Sequence, residues 1–335
     1  MRVTTNMMMK QYQSRLNDCL TQQTDNQYQV MTGRRYQYAW QDPSRSSSAA
    51  SLTKRYLRNQ DYLSTIDDVQ SYQDAQEDAC RQVSTLAQTV SKEYSMEALN
   101  GTTSLEGRKT LATALREIQN SMISSLNGKY GEDFVMAGSH GKTLPFEMKE
   151  DGLYYLGNKV NVDSKENEDA FKQLEKLAGD TMYVDLGFGL EFKDEEVVSS
   201  SAFNTSLPGI AVIGYGKDEN GMSNNIIELV GQMADVLEQT DFDKDAYEKL
   251  WTKFDEGANK VDDTVARLGT KTKLLEDTKD RLTDLNLSLH EQLDSAVNID
   301  PAEAIMNYSW SQYAYTAALK IGTNILGSSL LDFLK

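Results

Sequence analysis

Histidine, the side chain used most often for acid–base and metal chemistry, occurs only as His140 and His290 in this sequence. The two lie 150 residues apart, one in a glycine-rich stretch and one in a helical pattern. A zinc site or a serine–histidine–aspartate triad requires several such groups to converge. The histidines therefore argue against both kinds of site, and we predict no cofactor and no bound metal.

An acidic segment, Asp241–Asp245, opens like a calcium-binding loop. Such loops carry glycine at their sixth position and glutamate at their twelfth, whereas this segment has Ala246 and Thr252 there. We therefore interpret the segment as the start of a helix, with Asp243 as the N-cap. Cys19 and Cys80 both lie in helical patterns, and we predict that they are small core residues without a disulfide.

Charge is distributed unevenly along the chain. The net charge is −17, yet residues 1–60 carry nine Lys or Arg against three Asp, which leaves −23 on the remainder. A basic arm on an acidic body indicates a partner surface, but the acidic whole argues against nucleic acid. The N-terminus has no apolar region typical of a secretory signal, and no run of about eighteen apolar residues predicts a membrane span. If the protein leaves the cell, we expect another export route.

Long helices are predicted at the N-terminal end. The first covers about residues 5–31 and should end at Gly33, which favours the left-handed backbone of a helix C-terminus. The second should begin at Pro43 with Asp42 as its N-cap, and it continues for more than forty residues without glycine or proline.

A third helix should follow Asn100-Gly101 and end near residue 127, with a capping box formed by Thr103 and Glu106. From about 139 to 222 the pattern changes to short apolar runs between glycines, and Ile210–Ile213 is one of them. This stretch predicts a small β-rich domain with one helix near 166–178.

Helix returns from about Asn224, and a seven-residue apolar repeat then predicts a long helix packed in parallel with another long helix. The repeat consists of Val261, Leu268, Leu275, Leu282, Leu289 and Ala296. We expect Asn298 and Pro301 to break this helix before a last one at about 301–332.

The last helix is apolar on more than one face, so it must be buried on more than one side. At a chain end, neighbouring molecules are the expected cover, although burial in an ordinary monomer core remains the alternative. One stripe is Trp310, Ala314, Ala317, Ile321 and Ile325, and the other is Tyr308, Tyr315, Leu319, Leu326 and Leu330. We predict an assembly interface at Met7, Met8, Tyr12, Leu16, Tyr308, Trp310, Tyr315, Leu319, Ile321, Ile325, Leu326 and Leu330.

The predicted fold is mainly α: long paired N- and C-terminal helices form a coiled-coil-like rod, and a small β-rich domain is inserted in the middle. The predicted segments are an N-terminal assembly segment, the first half of the rod, a β-rich outer domain, the second half of the rod and a C-terminal assembly helix. Their ranges are 1–42, 43–138, 139–222, 223–298 and 299–335.

Four motifs, in this order along the chain, resemble the flagellin family. They are Met1-Arg2-Val3-Thr4-Thr5-Asn6-Met7-Met8; Met31-Thr32-Gly33-Arg34-Arg35 followed by Asp42-Pro43; Asp133-Phe134-Val135-Met136-Ala137-Gly138 with Pro145-Phe146; and Ser328-Ser329-Leu330-Leu331-Asp332-Phe333-Leu334. The residues of this set on which the resemblance depends most are Asn6, Gly33, Arg34, Asp42, Pro43, Phe134, Gly138, Pro145 and Phe146. Phe134–Gly138 with Pro145-Phe146 looks most like the hook-associated member at the hook–filament junction.

The resemblance implies a structural subunit, not an enzyme, that is exported unfolded through the flagellar type III apparatus. It implies an extracellular place between hook and filament, with a neighbouring hook-associated junction protein, flagellin and an export chaperone as partners. A minor filament flagellin is the first alternative. An extracellular hydrolase domain inserted in the 139–222 stretch is the second.

Overall fold

The computed structural model of the protein describes residues 5–100, 104–163, 167–193, 196–219 and 221–333. Helices dominate, and short strands occupy the middle of the sequence, which confirms the predicted fold class. The chain forms two compact units. We call Met1–Asp61 with Leu282–Lys335 the terminal unit, and Tyr62–Arg281 the central unit. The five-segment division remains a prediction.

The helices are long at both ends of the chain. In order they are α1 Thr5–Thr32, α2 Pro43–Thr89, α3 Ser95–Asn100, α4 Leu105–Leu126, α5 Glu168–Ala178, α6 Gly209–Ile213, α7 Ile226–Glu238, α8 Lys244–Val297 and α9 Pro301–Phe333. A π-helical turn, Val90–Tyr94, joins α2 to α3. Helix α2 therefore continues without a break in the chain direction, as its uninterrupted apolar spacing predicted.

The strands are short and pair in antiparallel fashion. They are β1 Lys129–Tyr130, β2 Asp133–Phe134, β3 Phe146–Lys149, β4 Gly152–Tyr155, β5 Asn158–Lys159, β6 Tyr183–Val184, β7 Phe192–Lys193, β8 Glu196–Val197 and β9 Phe203–Asn204. The described sheets pair β1 with β2, β6 with β9 and β7 with β8, and order the remaining three as β3-β4-β5. The β1–β2 hairpin lies before the predicted β-rich stretch, so strand structure begins earlier than its pattern indicated.

Three predicted helix ends are confirmed by their hydrogen bonds. Gly33 has φ +68°, and its N–H donates to the carbonyl of Gln29 at 2.9 Å. The Asp42 carboxylate accepts from the N–H of Arg45 at 3.0 Å, and Asp243 accepts from the N–H of Ala246 at 3.0 Å. Asp243 is thus an N-cap, the role that we predicted for it.

Two local predictions are wrong. The N-cap of α4 is Ser104, whose hydroxyl accepts from Gly107 N at 3.2 Å; Thr103, the predicted cap, lies outside the described residues. Ile210–Ile213 forms most of α6 and is not a strand. A short, fully apolar run fits a buried helix as well as a buried strand, and Gly214, at φ +83°, ends the helix after one turn.

The long helices α2 and α8 pack antiparallel, which corrects the predicted parallel arrangement. In the terminal unit the Asn59 amide donates to the carbonyl of Leu282 at 2.8 Å. In the central unit Gln73 donates to the carbonyl of Leu268 at 3.1 Å, and Ser91 donates to the carboxylate of Asp255 at 2.8 Å. Residue numbers therefore rise along one helix and fall along the other. The predicted seven-residue repeat is buried as far as Leu289, and Ala296 is half-buried.

The core of the central unit joins α2, α4, α7, α8 and the β3–β5 sheet. Met122, Phe254 and Val261 are each fully buried there. Helices α4 and α7 also share a buried polar contact, in which the Gln119 amide donates to the carbonyl of Ile227 at 2.8 Å. Cys80 is buried in this core, as predicted.

Candidate assembly surface

The terminal unit is organised around a seam between α1 and α9, which run antiparallel. On α9 the seam alternates small residues with tyrosines, at steps of four and three: Ala304, Tyr308, Ser311, Tyr315, Ala318 and Gly322. On α1 the half-buried residues have the same spacing: Tyr12, Leu16, Cys19, Gln23 and Asn26. This spacing keeps one face of each helix turned toward its partner.

Polar contacts fix the register of the seam. The Tyr12 hydroxyl donates to the carbonyl of Ala318 at 3.1 Å, and the Asn26 amide donates to the carbonyl of Asn307 at 3.1 Å. At the opposite end of α9, the N–H of Ile299 donates to the carbonyl of Gly33 at 2.9 Å. Polar contacts therefore hold the two helices together from Tyr12 and Ala318 to Gly33 and Ile299.

Gly322 allows the closest approach between the two helices. A Cβ atom added at this position would lie 2.0 Å from the Tyr12 hydroxyl oxygen and 2.4 Å from the ring carbon that carries it. Real side chains do not tolerate such distances, so the Tyr12 ring occupies the space that a larger residue would need. Tyr12 and Gly322 form an interlocking pair in the seam.

A second apolar stripe of α9 lies outside the seam, and its last residue, Ile321, borders a groove between α9 and α1. We call its residues the outer stripe: Met306, Trp310, Tyr313 and Ile321, which are 55%, 67%, 72% and 57% exposed. Their spacing of four, three and eight residues places them on one side of the helix. Nothing in the described part of the chain covers them, although apolar side chains of this size are normally buried.

The N-terminal half of the terminal unit adds further exposed apolar residues. Met7, Met8 and Met9 on α1 are 60%, 46% and 38% exposed. In the loop after α1, Tyr38 and Trp40 stack with their rings nearly parallel at 6.0 Å, and Trp40 is 72% exposed. Scattered exposed apolar residues need no explanation, but a concentration of them in one unit indicates a contact surface.

The predicted interface residues divide between the two surfaces. Tyr12, Leu16, Tyr308 and Tyr315 are half-buried along the seam, whereas Met7, Met8, Trp310, Leu319 and Ile321 are exposed. The side chains of Ile325, Leu326 and Leu330 lie outside the described residues, as does that of Asn6. Sequence reasoning missed Met306, Tyr313 and Ile305, since it followed two stripes and not the whole circumference of the helix.

Cys19 does not fit its predicted place in a core. It is half-buried and lines a groove of about 410 Å³ between α1 and α9, together with Met8, Tyr12 and Ile321. The difference arises because, among the described helices, only α9 makes extensive contact with α1, so the seam residues of α1 stay partly open. Cys80, by contrast, has neighbours on all sides, and burial raises the pKa of its thiol to about 12.

The family-motif residues of the terminal unit and its connections set backbone geometry. Gly33 takes the left-handed conformation, and Arg34 forms an antiparallel bridge with Asn298. Asp42 caps α2, and Pro43 occupies its first position, where no N–H is needed. These residues join α1 to the start of α2 and tie the loop to the end of α8.

The motif residues of the central unit build a packed corner. Phe134 is buried with the Lys129 ammonium 4.4 Å from its ring centre, and Phe146 packs on Tyr155 at 4.9 Å between ring centres. The carbonyl of Pro145 accepts from Leu156 N at 2.9 Å. Gly138 has φ +62°, and an added Cβ would lie 2.7 Å from an Asp180 carboxylate oxygen. Their role in the structure is packing and turn formation.

Two kinds of site are not found in the described ranges. No group of three or more histidine, cysteine, aspartate or glutamate side chains there is arranged to hold a metal ion. No helix there is both long and apolar enough to cross a membrane. The exposed apolar surface of the terminal unit is the strongest functional feature of this part of the molecule.

Known proteins resemble this chain. The bacterial flagellin N-terminal helical region matches residues 3–138. Flagellar hook-associated protein 3 of Escherichia coli is 23% identical over 100% of both chains, and that of Salmonella typhimurium is 24% identical over 99% of both. A crystal structure of flagellar hook-associated protein 3 from Legionella pneumophila has a TM-score of 0.54 at 13% identity and covers 73% of this chain and 98% of its own. At that identity the structural likeness shows the fold.

The comparisons agree with the motifs. The flagellin match spans α1, α2 and α4 and ends at Gly138, the last residue of the continuous part of the third motif. The full-length matches extend the likeness through the central unit to the C-terminal helix. The predicted resemblance is confirmed: residues 3–138 are similar to the N-terminal helical region of bacterial flagellin, and the whole chain is similar to flagellar hook-associated protein 3.

Proposed function

We propose that this chain is a structural subunit of the bacterial flagellum, that it joins the hook to the filament, and that it works by assembly and not by catalysis. The observation that carries the proposal is the outer stripe of α9, which remains uncovered while the opposite face of the same helix is packed. A lattice of neighbouring subunits would cover it. The named relatives, hook-associated proteins 3, supply the place in the flagellum.

The size of the uncovered surface supports assembly. From Met306 to Ile321 the outer stripe extends over about 24 Å at roughly 1.5 Å per residue. Burial of a large apolar side chain contributes about 1.5–3 kcal/mol, and each of these four is more than half exposed. Burial of several such side chains per subunit, repeated around a ring, would stabilise the assembly. A single molecule cannot bury them and gains no stability from them.

We extend the proposal to the partners and the location. The chain is exported unfolded through the flagellar type III apparatus, and it then takes its place outside the cell with a hook-associated junction protein on one side and flagellin on the other. In the cytoplasm an export chaperone covers the C-terminal helix, because the apolar faces of α9 would otherwise promote aggregation. No role with nucleic acid or within a membrane is included.

Electron microscopy of cells that lack the gene tests the proposal. We expect hooks without filaments, with flagellin released into the medium, and recovery when the full-length gene is supplied. Cells that supply Trp310→Asp with Tyr313→Asp should resemble the deletion, because charges on the outer stripe oppose its burial. Normal filaments on cells without the gene would contradict the junction role.

A minor filament flagellin is the second candidate, favoured by the flagellin match over residues 3–138. A flagellin should form long filaments from purified protein alone under filament-forming conditions. A junction subunit should form no long filaments under the same conditions and should bind the ends of isolated hooks. Extended homopolymers that bind no hooks would favour the flagellin.

A further inference from the structure

Helix α2 carries a positively charged surface in the terminal unit. Lys54, Leu57 and Arg58 are adjacent on the helix, at spacings of three and four residues, and all are exposed; we call these three the basic face. Leu57 is 53% exposed. In the described part of the chain neither charge has a salt-bridge partner.

Helix α8 carries the matching negative surface in the same unit. Asp284, Leu287 and Glu291 are exposed at spacings of three and four residues, and we call them the acidic face. Leu287 is 60% exposed. Neither carboxylate forms a salt bridge to another described residue. Each face therefore has one exposed leucine beside two exposed charges that form no salt bridge to a described residue, and the charges of the two faces have opposite signs.

The two faces point away from each other, because both helices turn their buried sides toward the α2–α8 contact. Asn59, whose amide donates to the carbonyl of Leu282 at 2.8 Å, marks that contact. At about 100° per residue, Lys54 lies roughly 140° around α2 from Asn59. Asp284 and Glu291 lie about 160° and 180° around α8 from Leu282. Arg58 lies about 100° around α2 from Asn59, and no salt bridge joins the two faces within the described part of the chain.

We propose that the partner of each face is a second copy of this chain, so that the basic face of one subunit binds the acidic face of the next. This inference deepens the proposed function, on which it rests for the existence of a ring. Different patches on opposite sides of one unit make a head-to-tail contact, and repeated head-to-tail contacts generate rings or helical tubes. The paired leucines would be covered at the centre of each contact, with charge pairs around them.

Charge complementarity favours a second copy of the chain as the partner of each face. Two positive and two negative groups on a chain of net charge −17 are an exception to its general repulsion between copies. Opposite charges mainly increase the association rate and select the register of a contact. The contact should weaken with salt, because the Debye length falls to about 10 Å at 0.1 M.

Zero-length cross-linking of the full-length protein tests the pairing directly. A carbodiimide joins a lysine ammonium to a carboxylate only when the two are in contact. We would mix ¹⁴N and ¹⁵N protein at low ionic strength, cross-link it and analyse peptides by mass spectrometry. We expect Lys54 joined to Asp284 or Glu291 with one light and one heavy peptide. Mixed-isotope cross-links that exclude Lys54 and both carboxylates would overturn the proposal.

Charge reversal and charge exchange provide the second test. K54E/R58E and D284K/E291K should each weaken self-association by about tenfold in sedimentation velocity. An equimolar mixture of the two variants should restore it, because each acidic surface then meets a basic one. The matched control is K109E/K176E, which makes the same charge change as K54E/R58E but on exposed lysines elsewhere. Its self-association should be close to that of the wild type. Equal weakening by this control, or no recovery in the mixture, would contradict the inference.

These results separate the inference from the proposed function. Filaments on cells without the gene would refute the junction role, whatever the purified variants do. Normal association and normal motility of K54E/R58E would refute the charged contact and leave the junction role intact.

Discussion

The central and terminal units use the same helical spacing but differ in how many sides of each helix are covered. In the central unit, α2, α4, α7 and α8 surround a shared interior, and large side chains such as Phe254 and Met122 are fully buried. In the terminal unit, α9 packs on α1 along one seam and leaves the outer stripe exposed. A regular apolar pattern thus identifies a face that packs, but it does not say whether the partner for a second face lies in the same molecule.

The difference predicts that one unit is stable alone and the other depends on neighbours. Packing of an apolar face supplies most of the stability of a helix in a protein. Within the described chain, α9 packs one of its two apolar faces against α1 and leaves the other exposed. Four experiments test this contrast, and they follow from the largest expected effect to the smallest.

Deletion of residues 301–335 should abolish assembly and leave the central unit folded. The truncation removes all of α9, including the outer stripe, and it removes nothing of Tyr62–Arg281. We expect cells with the truncated protein to lack filaments and to show no binding of the protein by the export chaperone that we propose. Thermal unfolding of the purified truncated protein should keep the cooperative transition of the central unit. Loss of that transition would contradict the independent stability of the central unit. Filaments in those cells would contradict the need for α9 in assembly.

Phe254→Ala and Trp310→Ala compare a large aromatic residue in each unit. Phe254 is fully buried, so its truncation should lower the free energy of unfolding by about 3–5 kcal/mol. Trp310 is 67% exposed, so in the monomer the same kind of change should stay within about 0.5 kcal/mol. Urea unfolding of monomeric protein measures both. Equal losses would mean that Trp310 is covered within the chain.

Gly322→Ala and Gly269→Ala compare a close approach with an open position. At Gly322 the new Cβ would meet the Tyr12 ring, so the α1–α9 pair should lose about 1–3 kcal/mol. At Gly269 on α8 a Cβ meets nothing within 4 Å, and alanine should stabilise the helix by up to about 1 kcal/mol. Hydrogen exchange along α1 and α9 measures the first change. Unaltered protection in G322A would contradict the interlock with Tyr12.

Cys80 should make the central unit less stable at alkaline pH. Burial raises the pKa of its thiol from 9.0 to about 12. Above pH 9 the unfolded chain loses this proton while the folded chain keeps it, so the folded state is disfavoured as pH rises. Between pH 8 and pH 10 we expect wild type to lose about 1 kcal/mol more than C80A, which has no thiol to titrate. Equal losses in urea unfolding would mean that the thiol ionises freely in the folded protein.

The sequence predicted most of the helical architecture because helix ends carry chemical markers. Gly33, Asp42 with Pro43, and Asp243 each provide a conformation or a cap that a helix end requires, and each proved to be at one. The cap of α4 was placed one residue early because Thr103 and Ser104 are both good N-caps. The apolar repeat identified the buried side of α8 but not its direction, because a seven-residue repeat looks the same to a parallel and to an antiparallel partner.

The candidate surface was only partly predictable. Both stripes of α9 are apolar, and the residues that distinguish the packed one are small: Ala304, Ser311 and Gly322 admit close approach to α1, and no rule of hydrophobicity selects them. The sequence alone could not relate the basic face to the acidic face, since Lys54 and Asp284 are 230 residues apart. Their significance depends on the antiparallel contact of α2 with α8.

The hydrogen bond from Tyr12 to Ala318 joins residues 306 positions apart. Helix α1 therefore lacks its helical partner until the chain as far as α9 is available, and closing so long a loop is slow. Any machinery that handles the chain from its first residue meets α1 alone, with its methionines and tyrosines open. Folding of the α1–α9 pair is a single event, timed by the arrival of α9.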